Sequence, residues 1–342
     1  MKLIIQIPCF NEEAALPVTL ADLPRQVAGF DLVEWLVVDD GSTDRTSDVA
    51  RAWRVDHIVR HTNNRGLARA FMTGLEAALH EGADVIVNTD ADNQYRAASI
   101  PALVAPILAG RAQMVVGARP ISNIPAFSPF KKFMQRLGSW VVRVASGTRI
   151  PDAPSGFRAY HREAALQLYV LDSYTYTLET IIQAGRKGIP VEWVPVEVNG
   201  ELRPSRLMTG MASYIRRSVF TIIRIFVVYK PLRFFTILAF VVALPGLVGI
   251  ARFLVYAAAG QSSGHLQSLV ISGALIGSAA IIQIGGLLAD IVAANRCLLE
   301  DIRARQLRSE IDLRRTEGAA RTVDPEHVEV ARRAAAVVPF SA

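Results

Sequence analysis

Disulfide chemistry is the first thing missing. Only two cysteines occur in 342 residues, Cys9 and Cys297, far apart along the chain. Two reduced thiols facing a cytosolic compartment fit better than a bridged scaffold. No Cys/His cluster has zinc-site spacing. Neither G-x-G-x-x-G nor G-x-x-x-x-G-K-[ST] is present, which argues against dinucleotide and P-loop sites. The serines are scattered without a G-x-S-x-G, so no hydrolase elbow is signalled. The opening MKLIIQIPCFNEE has too short an apolar part for a secretory leader, and it runs into Asn11, Glu12 and Glu13 instead of a small-residue cleavage site. The N-terminal domain is therefore expected not to be secreted.

Charge is scarce and uneven. Charged residues are 20% and hydrophobic residues 51%, which excludes a disordered chain. The net charge is +6, yet residues 1–200 carry 20 basic and 21 acidic residues. Residues 201–233 carry 7 basic and 1 acidic, and residues 234–342 carry 10 and 9. The basic excess thus lies in one stretch just before an apolar run, which favours anionic lipid headgroups over nucleic acid.

Short, nearly continuous apolar runs predict strands at Leu3–Ile7, Glu34–Asp39, His57–Arg60, Val85–Thr89 and Met114–Gly117, with a last one at Val191–Val198. Helical patterns fall at Glu12–Gln26, Thr43–Ala52, Gly66–Glu81, Ser99–Leu108, Lys131–Ala145 and Thr177–Arg186. This alternation predicts an α/β domain with a mainly parallel sheet, whose ligands bind beyond the carboxyl ends of the strands.

The basic block then carries Tyr214, Ile215, Val219, Ile222, Ile223 and Phe226 at helical spacing, the pattern of an amphipathic interface helix. Phe234–Ile250 is 17 residues without a charge and Leu266–Ala289 is 24, each long enough to cross a hydrocarbon core. Gly273 and Gly277 form a GxxxG pair of the kind that lets helices approach. Lys230 and Arg233 precede the first run, Arg296, Arg303, Arg305 and Arg308 follow the second, and the loop 261–265 has neither Lys nor Arg. The positive-inside rule then puts both flanks in the cytoplasm. The expected division is a cytoplasmic α/β domain 1–200, a basic juxtamembrane segment 201–233, a membrane hairpin 234–292 and a cytoplasmic tail 293–342, with a separate helix at Leu298–Arg315.

Three polar clusters stand at predicted strand ends. Asp90 and Asp92, with Gln94, form a D-x-D suited to Mg²⁺ or Mn²⁺, although most D-x-D sequences are solvated carboxylates or helix caps. Asp39 and Asp40 precede Gly41, Ser42, Thr43 and Asp44. Ser42 or Thr43 suits a helix cap, and the adjacent carboxylates suit a base or ribose. Pro8, Phe10 and Glu12 lie at the first strand end. Phe10 could stack on a base, against the plainer reading of strand end and helix entry.

In order, IPCFNEE, VVDDGSTDRT, NNRGLARAFMTGL, NTDADNQY and PDAPSGFRAY over residues 4–160 resemble family 2 glycosyltransferases, which have the GT-A nucleotide-sugar fold. With the basic segment and two apolar runs, the closer likeness is to polyprenyl-phosphate glycosyltransferases of the dolichol-phosphate mannose synthase type. It covers about residues 2–290. The resemblance implies that Pro8, Phe10, Glu12, Asp39 and Asp40 hold the nucleotide and that Asp90, Asp92 and Gln94 meet the metal. It puts Asp152 and the Ser155–Arg158 segment, Arg158 included, on the sugar and acceptor side. Arg203-Pro204-Ser205-Arg206 resembles the family's Arg…Gly-x-Ser-Lys phosphate element, with Arg206 in place of Lys, Arg203 in place of Gly and Gly200 in place of the first Arg.

The activity so implied is inverting transfer of a sugar from a UDP- or GDP-linked donor to a polyprenyl phosphate at the inner membrane. Asp92, Asp152, Arg203 and Arg206 would be the catalytic residues. A hydroxyl acceptor would need a base, for which Asp152 is the only obvious candidate. A degenerate, inactive nucleotide-sugar binder is the remaining alternative. Sugar, nucleotide and oligomeric state stay open.

Overall fold

The computed structural model describes residues 1–119, 143, 146–170, 176–199, 223–224, 226–259 and 266–322, with side chains through 313. The expected Lys131–Ala145 helix apart from residue 143, most of the basic segment and both Arg203 and Arg206 lie outside the described residues.

Seven strands form one sheet: β1 (Lys2–Cys9), β2 (Leu32–Asp39), β3 (His57–Arg60), β4 (Val85–Asn88), β5 (Met114–Ala118), β6 (Arg158–His161) and β7 (Val191–Pro195). Their order is β3-β2-β1-β4-β6-β5-β7. All neighbours are parallel except β6, which runs antiparallel between β4 and β5. β6 was not expected. Its four residues, RAYH, carry too little apolar pattern to read as a strand, yet Arg158, Ala159 and Tyr160 are fully buried.

Successive strand residues point to opposite faces, so the apolar runs feed two cores. Leu3, Ile5 and Ile7 pack with α1 (Leu16–Asp22), α2 (Thr46–Ala52) and α4 (Ile100–Leu108). Ile4, Leu36 and Val38 pack with α3 (Leu67–His80), α5 (Arg162–Gln167) and α6 (Thr177–Arg186). α1 begins four residues later than the sequence pattern suggests. Glu12 stays in the loop, where its carbonyl accepts from the Ala15 and Leu16 N–H groups at 3.1 and 2.9 Å.

Two long helices follow, α7 (Pro231–Ala258) and α8 (Leu266–Thr322). Both are long and apolar enough to cross a membrane, and only 11% of each apolar window is buried. A core helix of a water-soluble domain would hide that surface, so these are not core helices. α8 runs unbroken through the expected boundary at 292/293, merging the second apolar run with the expected separate helix. Charges alone do not break a helix, and no proline interrupts this stretch. Its far end docks on the α/β domain, with Leu307 and Ile311 buried in the α3/α5/α6 core.

The two helices approach where Gly246 and Gly249 meet Ser272 and where Gly286 meets Phe235. An added Cβ at Gly273 or Gly277 would meet nothing within 4 Å among the described residues, so the GxxxG pair is not a close-packed point of the hairpin contact.

Candidate active site

The carboxyl ends of β1, β2 and β4 lie side by side, because Cys9 pairs with Asp39 and Gln6 with Asn88. The loops that leave them are stitched together by hydrogen bonds. The Asn11 N–H donates to Ser42 Oγ at 2.9 Å, the Thr43 N–H to Asn11 Oδ1 at 2.8 Å and the Glu12 N–H to Thr46 Oγ1 at 2.9 Å. Asn11 adopts a left-handed backbone (φ 53°), and so does Asn93 beyond β4 (φ 54°). Both are asparagines, among the few residues that tolerate that conformation. The N-cap of α2 is Arg45, with no side-chain cap, and Asp44 just before it accepts the Thr46 N–H at 3.0 Å, whereas Ser42 and Thr43 lie too far ahead of the helix to cap it.

Asp39 and Asp40 are both buried. Asp39 accepts from the Ser42 N–H at 2.8 Å and from the Ser47 hydroxyl. Asp40 accepts from the Arg65 and Gly66 N–H groups at 2.9 and 2.8 Å, just before α3, and lies 2.7 Å from His61 Nδ1. The acid pair thus ties the loop after β2 to the start of α2 and to the loop before α3. Gly41 permits this folding: at φ 73°, an added Cβ would come within 2.5 Å of the Asn63 backbone. Pro8 is buried near the end of β1, Glu12 is buried in the loop that follows, and Phe10 between them is 38% exposed.

Asp90 and Asp92 follow β4. Burial and the neighbouring Asp92 charge push the Asp90 carboxyl up to about 7, against the opposing pull of Arg119 and Arg158. The Gln94 N–H donates to Asp92 Oδ1 at 3.2 Å, and the Gln94 carbonyl accepts from the Asn199 N–H at 2.8 Å. Gly156 makes room for the Asp90 carboxylate. An added Cβ would sit 3.1 and 3.2 Å from its two oxygens and 2.8 Å from the Tyr176 hydroxyl. Among the described residues no group of three or more His, Cys, Asp or Glu is placed to hold a metal. Two hard carboxylates crowded enough to raise one pKa fit a divalent cation that also takes substrate phosphates and water.

Sequence reasoning missed Arg119. It follows β5, at the same kind of strand end that drew attention to the aspartates. Its Nε and Nη2 donate to Asp152 Oδ2 and Oδ1 at 2.7 and 3.0 Å, and its backbone N–H adds a third bond at 3.1 Å. The side chains are 10% and 1% exposed. Burial works against the Arg119 charge, but Tyr95 and Asp152 hold its pKa above the ordinary value. Both Asp152 oxygens are therefore committed. Arg158 is fully buried. Its guanidinium donates to the carbonyls of Ser155, Thr177 and Ala153 and to Thr180 Oγ1, all within 2.8 Å, bracing the 152–158 turn against α6.

Residues 4–168 match the family model "Glycosyl transferase family 2". The chain is 30% identical to the undecaprenyl-phosphate mannosyltransferase of Micrococcus luteus over 62% of its own length and 89% of the relative's. It is 28% identical to the polyprenol monophosphomannose synthase of Mycolicibacterium smegmatis, over 65% and 85%. Among solved structures, glucosyl-3-phosphoglycerate synthase from Mycobacterium tuberculosis shares the fold at TM-score 0.53 and 21% identity, over 66% of this chain and 79% of that one. The alternating sheet, the acid pairs at its carboxyl edge and these likenesses together make this chain a member of the family 2 glycosyltransferases, with their GT-A fold.

Proposed function

We propose that this enzyme transfers a sugar from a nucleotide-diphosphate donor to a polyprenyl phosphate at the cytoplasmic face of the membrane, with inversion at the anomeric carbon. The acceptor class follows its relatives' names, the undecaprenyl-phosphate mannosyltransferase and the polyprenol monophosphomannose synthase. Two exposed apolar helices on the same chain support it.

The single observation that carries the choice of acceptor is the Arg119–Asp152 pair. A hydroxyl nucleophile needs a general base, and Asp152, the candidate the sequence offered for that role, is buried with both oxygens bound to Arg119. A phosphate monoester has a second pKa of ~6 and is largely ionised at neutral pH, so it attacks without a base. In the reaction, a phosphate oxygen of the lipid bonds to the anomeric carbon from the face opposite the donor. The bond from that carbon to the β-phosphate oxygen breaks, and the nucleoside diphosphate leaves with the electron pair.

The chain's own residues then position and balance charge. Asp90 and Asp92 would hold Mg²⁺ or Mn²⁺, which neutralises charge on the departing diphosphate. Pro8, Phe10, Glu12, Asp39 and Asp40 build the nucleotide end. Asp152 and Arg158 act by positioning, the first through Arg119 and the second through the 152–158 turn. Arg203 and Arg206 steer the lipid phosphate in this reading. The test is a panel of radiolabelled UDP- and GDP-sugars incubated with protein-bearing membranes, with and without added polyprenyl phosphate, followed by organic extraction. Label entering the lipid phase only with the polyprenyl phosphate supports the reading. Label passing to a hydroxyl-bearing acceptor, or none transferred with any donor, refutes it.

A further inference from the structure

Packing, and not hydrogen bonding, places the Asp90 carboxylate. Among the described residues no N–H or O–H group donates to its oxygens, so its position depends on what it lies against. That neighbour is Gly156, whose peptide groups are held on both sides. The Gly156 N–H donates to the Tyr95 hydroxyl at 3.1 Å. The Gly156 carbonyl accepts from Asn88 Nδ2 at 2.9 Å and from the Tyr176 hydroxyl at 3.3 Å. Asn88 Nδ2 also donates to the Tyr176 hydroxyl at 2.8 Å, and Asn88 Oδ1 accepts from Gln6 Nε2 at 2.8 Å. The Tyr176 ring stacks on Phe71, with centroids 3.9 Å apart and planes 8° from parallel. Asn88, Tyr176 and Phe71 are all buried.

The Tyr176 hydroxyl and the Asp90 carboxylate crowd one point. A Cβ at residue 156 would lie 2.8 Å from the first and 3.1 and 3.2 Å from the oxygens of the second. Gly156 is not one of the left-handed glycines, so space alone demands it there. Burial, and after it the Asp90 charge, hold the Tyr176 pKa well above the ordinary value, and the hydroxyl keeps its proton.

We propose, on the reading that Asp90 and Asp92 hold the divalent cation, that Tyr176 is a positioning residue for that cation: through Gly156 it fixes the Asp90 carboxylate and leaves both carboxylate oxygens to the metal. A ligand without hydrogen bonds of its own keeps its lone pairs for the ion. It then needs a rigid neighbour to hold its place, and partners one layer out are typically worth about 10–100-fold in metal affinity.

Two substitutions separate positioning from stability. Tyr176→Phe keeps the stack on Phe71 and removes the hydroxyl. Gly156→Ala puts a methyl group between Tyr176 and Asp90. Bound Mn²⁺ is counted by electron paramagnetic resonance on the full chain in detergent micelles, with UDP and with GDP, each against a nucleotide blank. Tyr176→Phe should weaken Mn²⁺ binding about tenfold and Gly156→Ala about fiftyfold. The double variant Tyr176→Phe/Gly156→Ala should bind more tightly than Gly156→Ala alone, because the methyl then takes the space of the hydroxyl and Asp90 returns. A role in stability alone would lower the unfolding temperature and leave the Mn²⁺ affinity of the folded protein as in the wild type. That result with Tyr176→Phe, or a double variant no better than Gly156→Ala, would overturn the positioning role. If Gly156→Ala does not fold, Tyr176→Phe decides alone. Wild-type protein that binds no more Mn²⁺ than Asp92→Ala would refute the metal reading itself, and the positioning role with it. Strong wild-type binding that Tyr176→Phe leaves unchanged would refute the positioning role only.

Discussion

Asp92 has no described role in the fold beyond its bond from the Gln94 N–H. Asp92→Ala should therefore lower sugar transfer at least ~100-fold, as loss of several kcal/mol of charge stabilisation requires, with the melting temperature unchanged. Asp152 is the opposite case. Asp152→Asn strips the buried Arg119 of its counter-charge, so urea unfolding should show a loss of about 3–5 kcal/mol. A general base would instead lose turnover while keeping wild-type stability. Asp90 would make metal binding at the proposed site pH-dependent. Its folded pKa of about 7 lies above the ordinary 3.8, so its ionised form is penalised in the metal-free fold. Stability from this group is greatest below pH ~4, falls as pH rises toward 7 and is flat above. Because a cation must displace that proton, Mn²⁺ affinity measured by calorimetry with nucleoside diphosphate present should rise about tenfold per pH unit below 7 and level off above it. Arg119 shows what sequence reasoning passes over: one arginine after a strand carries no motif, and its importance comes from Asp152, 33 residues away.

Among the elements, the parallel strands were legible because burial on both faces demands unbroken apolar runs, as in Leu3–Ile7. β6 and α5 were not, because RAYH and REAALQ are short and owe their places to neighbours on both sides. The D-x-D loop was legible from its position after β4. What was hidden is the packing around it, where Gly156 and Tyr176 arrive from distant sequence. The length of α8 was obscured by the charges from Asp290 onward, which mark an environment change and not a helix end. That helix is held to the catalytic domain by Leu307 and Ile311 and by ion pairs from Arg303 to Glu76 and Arg308 to Glu163. Exposed pairs contribute little, ~0–1 kcal/mol each, whereas a buried isoleucine cut to alanine costs roughly 2–5 kcal/mol. Ile311→Ala should therefore loosen the docked end, read as faster proteolysis between 296 and 311, and Arg308→Ala should leave it nearly as protected as the wild type.

At the scale of the whole molecule, α8 joins two environments. Fifty-seven residues make a rod of ~85 Å, well beyond the ~30 Å that a hydrocarbon core would take in the proposed reading, and its far end packs on the α/β domain. In the proposed reading this would hold the carboxyl edge of the sheet at a set height over the bilayer, where an isoprenoid phosphate can meet a water-soluble donor. Removing the divalent cation with a chelator should abolish transfer while leaving the chain in the membrane fraction, because the helices and not the site anchor it. The most direct measurement uses a nucleotide sugar labelled in the sugar, the full chain in vesicles and added polyprenyl phosphate, with label counted in the organic extract. The expected result is lipid-borne, acid-labile label that needs both the polyprenyl phosphate and an intact Asp92. Label that enters the lipid phase equally with Asp92→Ala, or that forms equally without the polyprenyl phosphate, would contradict it.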